Sequence, residues 1–226
     1  MTRNLKPLVE LTADGSHTLF VPSLNEHYHS VNGAMQESLH VFIAAGIGQC
    51  QKEEISVFEV GFGTGLNALL TAEYARRNYK KVKYTSIEAF PLPEDVVVQL
   101  NYGREGDREL YDALHQAEWG REVQITEFFA LTKINADFIR FDFLPLSGSF
   151  DILYFDAFAP DVQPDMWSQE IFDTMHQICK SDAILTTYCA KGEVRRRMQA
   201  AGFTVERIPG PPGKREMLRA RKLFDI

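Results

Sequence analysis

Cysteine is scarce: only Cys50, Cys179 and Cys189 occur, and no C-x-x-C pair is among them. An odd number at such spacing builds neither a disulfide framework nor a zinc site, so the thiols read as reduced residues of a cytoplasmic protein. No run of about 18 apolar residues exists, so no membrane-spanning helix is expected. The opening Met1-Thr2-Arg3-Asn4-Leu5-Lys6-Pro7 lacks the apolar centre of a secretory signal. Internal repeats and low-complexity tracts are missing, and so is the dinucleotide fingerprint G-x-G-x-x-G. Basic residues are outnumbered, 24 Lys/Arg against 31 Asp/Glu, for a net charge of −7. That balance argues against a surface that coats nucleic acid indiscriminately.

What is present suits one α/β domain with small additions: 226 residues, 45% of them hydrophobic, enough for a sizeable core. The charge is unevenly spread. Residues 191–226 hold ten Lys/Arg and four Asp/Glu, whereas residues 1–190 hold 14 and 27. A basic end on an acidic body can steer an RNA to one face; solvated helix and strand faces are the bland alternative.

The chain is organised around Val57-Phe58-Glu59-Val60-Gly61-Phe62-Gly63-Thr64-Gly65-Leu66-Asn67. The apolar run over 55–60 predicts a buried strand, and the spacing of Leu66, Ala68, Leu69, Leu70, Ala72 and Ala75 predicts a helix to about residue 78. Strand, glycine turn and helix open a nucleotide-binding α/β unit. The pattern E-x-G-x-G-x-G resembles the first motif of class I S-adenosylmethionine-dependent methyltransferases. Glu59 beside the turn suits the ammonium group of a methionine moiety. A tight turn without ligand and an NAD site are the alternatives.

Before this unit, Thr18-Leu19-Phe20-Val21 predicts a short strand ended by Pro22, and residues 33–47 predict a helix closing near Gly46 and Gly48. His27 and His29 alternate. They are candidate metal ligands without a third partner, or hydrogen-bonding residues in a lid over the cofactor. After it, residues 82–89 read as the next strand, with Glu88 at its end, where an acid can accept hydrogen bonds from both ribose hydroxyls. A solvated strand-end Glu is the alternative. Residues 91–122 read as helical and 128–134 as a strand. Asp137 or, as a competitor, Asp142 then stands where an acid can meet an adenine amino group.

A further strand, Phe150-Asp151-Ile152-Leu153-Tyr154-Phe155-Asp156, ends in Asp156-Ala157-Phe158-Ala159-Pro160. Ligands of open α/β sheets bind outside the carboxyl ends of the strands, so Asp156 should face the glycine turn's crevice. Amino-methyltransferases place a D/N-P-P-Y/F loop here, whose acid accepts a hydrogen bond from the target amine. A helix cap is the other reading of Asp156, and a core aromatic that of Phe158. A helix over 165–179, a strand over 183–189, a helix from Lys191 and an antiparallel pair, 202–208 and 217–220, complete the chain. The loop Pro209-Gly210-Pro211-Pro212-Gly213-Lys214-Arg215-Glu216 is either a stiff connection or a contact for substrate phosphate.

Several stretches together resemble the MnmC-type tRNA methyltransferase family: Tyr28-His29 with Gly33-Ala34-Met35-Gln36-Glu37, the glycine turn, and Asp156-Ala157-Phe158-Ala159-Pro160 with Pro164-Asp165-Met166-Trp167. Thr187-Tyr188, Val194-Arg195-Arg196, Ala201-Gly202-Phe203 and Gly213-Lys214-Arg215-Glu216-Met217 add to it. The family commonly has Gly where Ala157 stands. The resemblance implies a Rossmann-like class I methyltransferase domain over 51–226, its seven-stranded sheet mostly parallel with an antiparallel final strand, behind an N-terminal extension or lid over 1–50. It implies S-adenosylmethionine-dependent N-methylation of the aminomethyl group of wobble 5-aminomethyl-(2-thio)uridine. Asp156 would be catalytic. Tyr28, Glu37, Glu59, Gly61, Gly63, Gly65, Asn67, Glu88, Asp137, Asp156 and Phe158 would hold the cofactor. Phe158, Pro160, Trp167, Lys191, Arg195, Arg196, Lys214 and Arg215 would meet the tRNA anticodon region transiently. Many relatives carry a fused FAD-dependent oxidoreductase. With the sequence ending at Ile226, neither FAD nor a metal is expected in this chain, and a separate enzyme would supply the aminomethyl precursor. Rival readings are a spermidine-synthase-like aminopropyltransferase, a methyltransferase of another amine, an NAD-dependent dehydrogenase and a non-catalytic RNA-binding domain.

Overall fold

The computed structural model describes residues 6–103 and 106–223. The reading of residues 1–5, of Arg104 and Glu105 in the charged segment, and of the chain's end at 224–226 lies outside the described residues. The extension forms an antiparallel sheet of β1 (Leu8–Leu11), β2 (His17–Val21) and β3 (Glu26–His27). Pro22 follows β2 and brings no N–H to continue it. The helix expected over 33–47 is divided into α1 (Ala34–Ser38), a π-helical turn (Leu39–Ala44) and a 3-10 turn (Ile47–Gln49). The π turn buries Val41 and Phe42, and Phe42 packs on Tyr154 of the main sheet with ring centroids 5.1 Å apart.

The main unit runs β4 (Glu54–Val60), α2 (Leu66–Asn78), β5 (Lys81–Glu88), α3 (Glu94–Val97), α4 (Arg108–Gln116), β6 (Glu122–Thr126) and β7 (Phe129–Asn135). It continues through β8 (Phe150–Phe155), α5 (Gln169–Ile178), β9 (Cys179–Thr187), α6 (Gly192–Ala200), β10 (Phe203–Pro209) and β11 (Glu216–Lys222). The sheet order is β10-β11-β9-β8-β4-β5-β7-β6. The five strands from β9 to β7 are parallel, and β11 is antiparallel to β9. These are the expected strands, with an eighth, β6, lying antiparallel on the edge beside β7. Among its described residues the segment over 91–122 thus holds two short helices before a strand whose apolar signal is just Val123 and Ile125.

Alternate residues of the central strands serve two apolar clusters. Val57, Ile152 and Tyr154 join the one containing α2 and α4 residues, while Phe58, Leu153 and Phe155 join the one containing α5 and α6 residues. Every residue of β8 is buried, as a central parallel strand requires. The chain leaves β4 toward β5 and later returns to β4's other side as β8, so a switch point opens between the carboxyl ends of these strands.

At the opposite end of β8, Asp151 anchors three strands. Its side chain is 2% exposed and accepts from Lys52 Nζ at 2.6 Å, Lys180 Nζ at 2.8 Å and the Ser56 backbone N–H at 2.9 Å. Burial pushes this carboxyl up, but those hydrogen bonds outweigh it and hold it below the ordinary value. The stabilisation is therefore in place above the ordinary carboxylate pKa and is lost as pH falls. Asp151→Ala should cost about 1–3 kcal/mol at neutral pH, because it leaves the half-buried Ser56 N–H unpaired, and less in acid. Urea midpoints at the two pH values check this; equal midpoints for both proteins at neutral pH would contradict it.

Candidate active site

The glycine turn after β4 is held on several sides. Gly61 N–H donates to Ile87 O at 2.9 Å, and Gly63 N–H to Glu88 Oε2 at 2.9 Å. Glu88 Oε1 accepts the Phe90 N–H at 2.8 Å, so this carboxylate ties the turn to the end of β5. Gly65 starts α2 in the left-handed region, with φ of 75°. A Cβ there would stand 2.7 Å from His115 Nε2, so both conformation and space require glycine.

Thr64 is clamped by His29, which the sequence singles out, and by Tyr111 and His115, which local sequence does not flag. Its carbonyl accepts from Tyr111 Oη at 2.8 Å and His115 Nε2 at 3.1 Å, and its hydroxyl meets His29 Nε2 at 2.8 Å. Behind His115, Lys133 is 1% exposed, donates to the His115 carbonyl at 2.7 Å and lies 4.7 Å from the Trp119 ring centroid. Burial pushes His29 and His115 down to about 4 and Lys133 down to about 8, so both imidazoles are neutral at pH 7. His29 is thus a hydrogen-bonding residue of the extension, and His27 pairs with Glu10 at 3.0 Å. Among the described residues no group of three or more His, Cys, Asp or Glu is placed to hold a metal.

A cavity of about 620 Å³ opens at the carboxyl ends of β4, β5, β7 and β8. Of the residues expected to hold a cofactor, Tyr28, Glu37, Gly61, Gly63, Asn67, Glu88, Asp137, Asp156 and Phe158 line it. The Tyr28 ring lies so near the turn that a Cβ on Gly63 would be 3.1 Å from it. Tyr28 also meets Phe158 edge to face at 5.3 Å. Asp137 is exposed at the rim, caps the 3-10 turn Phe138–Arg140 through the Ile139 N–H at 3.0 Å, and lies 3.6 Å from Arg140. Its competitor Asp142 accepts the Leu144 N–H at 3.0 Å and is not among the lining residues. Glu59 and Gly65 are not on the wall either. Glu59 has no exposed surface and lies beneath the turn, and Gly65 sits against His115.

Asp156 follows β8 and opens to the cavity, yet it is deep enough that burial raises its carboxyl from 3.8 to about 7. The charge of Glu37 adds to the rise, while the Asn67 amide, donating to Asp156 Oδ2 at 2.9 Å, and the charge of Lys214 work against it. Glu37 joins the two ends of the chain: one oxygen accepts the Ser30 N–H at 2.8 Å and the other pairs with Lys214. Lys214 Nζ also lies 4.1 Å from the centroid of Tyr188, whose hydroxyl donates to Ala157 O at 2.8 Å.

Of the residues expected to meet a substrate, Phe158 and Lys214 line the cavity. Trp167 does not: it is fully buried and donates from Nε1 to the Phe158 carbonyl at 2.7 Å, supporting that loop from behind. Pro160 is half-buried on the same loop. Lys191, Arg195 and Arg196 lie outside the cavity, Lys191 at the start of α6, where it pairs with Asp161 at 2.6 Å, and the two arginines in the middle of that helix. Arg195 Nε is buried without a hydrogen-bond partner among the described residues, Arg196 lies beside Gly192, and Arg215 is exposed. All three cysteines are free thiols.

Comparison with known proteins bears on this arrangement. Residues 117–223 match a family described as S-adenosyl-L-methionine-dependent methyltransferase. The chain is 32% identical over 237 residues to the tRNA 5-methylaminomethyl-2-thiouridine biosynthesis bifunctional protein MnmC of Cupriavidus necator, covering 96% of this chain and 35% of that protein. It is 33% identical over 241 residues to the protein of the same description from Cupriavidus metallidurans, covering 98% and 35%. The chain thus spans about a third of the length of these relatives. The crystal structure of MnmC2 from Aquifex aeolicus matches with a TM-score of 0.76 at 24% identity, over 97% of this chain and 71% of that one. Spermidine synthase from Thermotoga maritima matches with a TM-score of 0.54 at 12% identity, over 100% and 82%. At such identities the two structures speak for the fold alone, which an aminopropyltransferase shares. The family match and the curated relatives go further, and with them the chain is an MnmC-like methyltransferase domain.

Proposed function

We propose that this domain transfers a methyl group from S-adenosyl-L-methionine to the exocyclic amine of 5-aminomethyl-(2-thio)uridine at the wobble position of tRNA. The observation that carries the reading is Asp156. It opens to the same cavity as the glycine turn, is fixed by Asn67, and has its carboxyl raised to about 7. The residues present fit the cofactor. Gly61, Gly63 and Asn67 provide close backbone approach and an amide on one wall, Glu88 offers acceptors for ribose, and Asp137 stands at the rim for an adenine amino group. Tyr28 and Glu37, from the extension, cover it, and Glu59 and Gly65 act from behind the wall.

Bound there, the cofactor supplies an electrophilic methyl group on a sulfonium. The substrate amine must arrive neutral and aligned with the sulfur–methyl bond, because an ammonium has no lone pair to attack with. Asp156 accepts a hydrogen bond from the amine, orients its lone pair and takes the proton; a carboxylate with pKa near the working pH is suited to that exchange. Alignment of the two groups contributes several kcal/mol to lowering the barrier. Phe158, backed by Trp167 and followed by Pro160, frames the base. Lys191, Arg195, Arg196, Lys214 and Arg215 meet phosphates of the anticodon region. A separate catalytic unit supplies the aminomethyl precursor, and the reaction belongs in the cytoplasm with its tRNA.

With labelled S-adenosyl-L-methionine and total tRNA lacking this modification, label should enter the tRNA. Asp156→Ala should lower transfer by about a hundredfold or more while keeping cofactor affinity. An active Asp156→Ala enzyme would sink the proposal, and label entering a small amine instead of tRNA would move the substrate. Replacing Arg196 and Arg215 together by Ala should raise KM for tRNA and flatten its salt dependence, since each lost phosphate contact releases fewer counterions. An unchanged KM would remove these two residues from the interface.

A further inference from the structure

Glu59 stands on β4 level with Ser86 of β5 and Tyr154 of β8. Its side chain is wholly buried, and among the described residues neither carboxyl oxygen has a hydrogen-bond partner within 3.5 Å. Ser86 Oγ, Tyr84 Oη and Asn67 Oδ1 are also buried and unpartnered. The groups facing the carboxyl are Ser86 and Tyr84 from β5, Asn67 from α2 and, as a charge, Asp156 after β8. Tyr154 of β8 senses Glu59 as well. None of these is a cation. An isolated buried carboxylate is strongly disfavoured, whereas a neutral acid brings one O–H donor and keeps acceptor capacity. Asn67 is the member of the set that both faces Glu59 and reaches Asp156, its Nδ2 donating to Asp156 Oδ2 at 2.9 Å.

We propose that Glu59 is a positioning residue: as a neutral carboxylic acid it holds the Asn67 amide from below, so that Asn67 keeps its N–H on Asp156. An amide rotated by half a turn would set oxygen against oxygen and release the Asp156 side chain. This assignment replaces the anionic contact with a methionine ammonium that the motif suggests, and it rests on the reading in which Asp156 serves the substrate amine. Burial raises the Glu59 carboxyl from 4.5 to about 8, which leaves it neutral at pH 7.

The test compares Glu59→Leu, Glu59→Gln and Asn67→Ala. Glu59→Leu should lower kcat on the order of tenfold to a hundredfold, the scale of a small misplacement at a reacting centre. Glu59→Gln, neutral and of similar shape, should recover most of that loss. The loss from Glu59→Leu should nearly vanish in an Asn67→Ala background, because the effect passes through that amide. Thermal melting needs no turnover. A folded-state pKa above the ordinary value means that the folded protein holds an extra proton, so this contribution is complete below about 4.5 and is lost as pH rises through about 8. From about pH 6 to about pH 9 wild type should therefore lose melting temperature relative to Glu59→Gln. A constant difference between the two over that range overturns the proposal. So does a Glu59→Gln enzyme that keeps kcat but binds S-adenosyl-L-methionine tenfold more weakly, the mark of an anion facing the ammonium. An active Asp156→Ala enzyme would overturn this inference together with the methyl-transfer reading, whereas the melting comparison bears on Glu59 alone.

Discussion

The hydrogen bond from Asn67 to Asp156 joins the two sides of the switch point. Asn67 lies in the first turn of the helix that follows the glycine turn, and Asp156 ends the strand on the other side of β4. One contact of 2.9 Å therefore relates the wall that would hold a methyl donor to the acid that would meet an acceptor. Everything around it limits movement. Thr64 is clamped by His29, Tyr111 and His115, Glu88 ties Gly63 to the end of β5, and Trp167 supports the Phe158 carbonyl. A reaction that depends on aligning two groups gains from such rigid support.

The same burial that makes the site rigid also sets its charges. Asp156, Glu59 and Lys133 are all shifted toward neutrality, and His29 and His115 are kept neutral. Glu37 and Lys214, both lining the cavity, pair with each other. That pair links the extension to the β10–β11 loop, and His40 adds a second link through Pro209 O at 2.8 Å. The extension is thereby part of the site wall, and its buried residues Leu19, Ala34, Val41 and Phe42 share a core with Val57 and Ile152.

Features written in short stretches were legible in the sequence. The strand–turn–helix around Gly61, the all-buried β8 with Asp156 beyond it, and the final antiparallel pair each follow from local pattern. Features that depend on distant partners were not. His115 and Lys133 become supports of Thr64 only when α4 and β7 fold beside the turn, and Glu37 meets Lys214 across most of the chain. The edge strand β6 carries two apolar residues, too few to stand out after a charged helical segment. Glu59 shows the limit most clearly: its motif position suggests a ligand contact, but the β4 pleat turns it beneath the floor, between β5 and β8.

The measurement closest to the central claim is the pH dependence of single-turnover methyl transfer at saturating cofactor and tRNA. In wild type the rate should rise as pH passes about 7, where Asp156 gives up its proton. Asp156→Asn should be slow and flat through that range. If both proteins follow the same curve, Asp156 is not the group that meets the amine, and the account of this cavity fails.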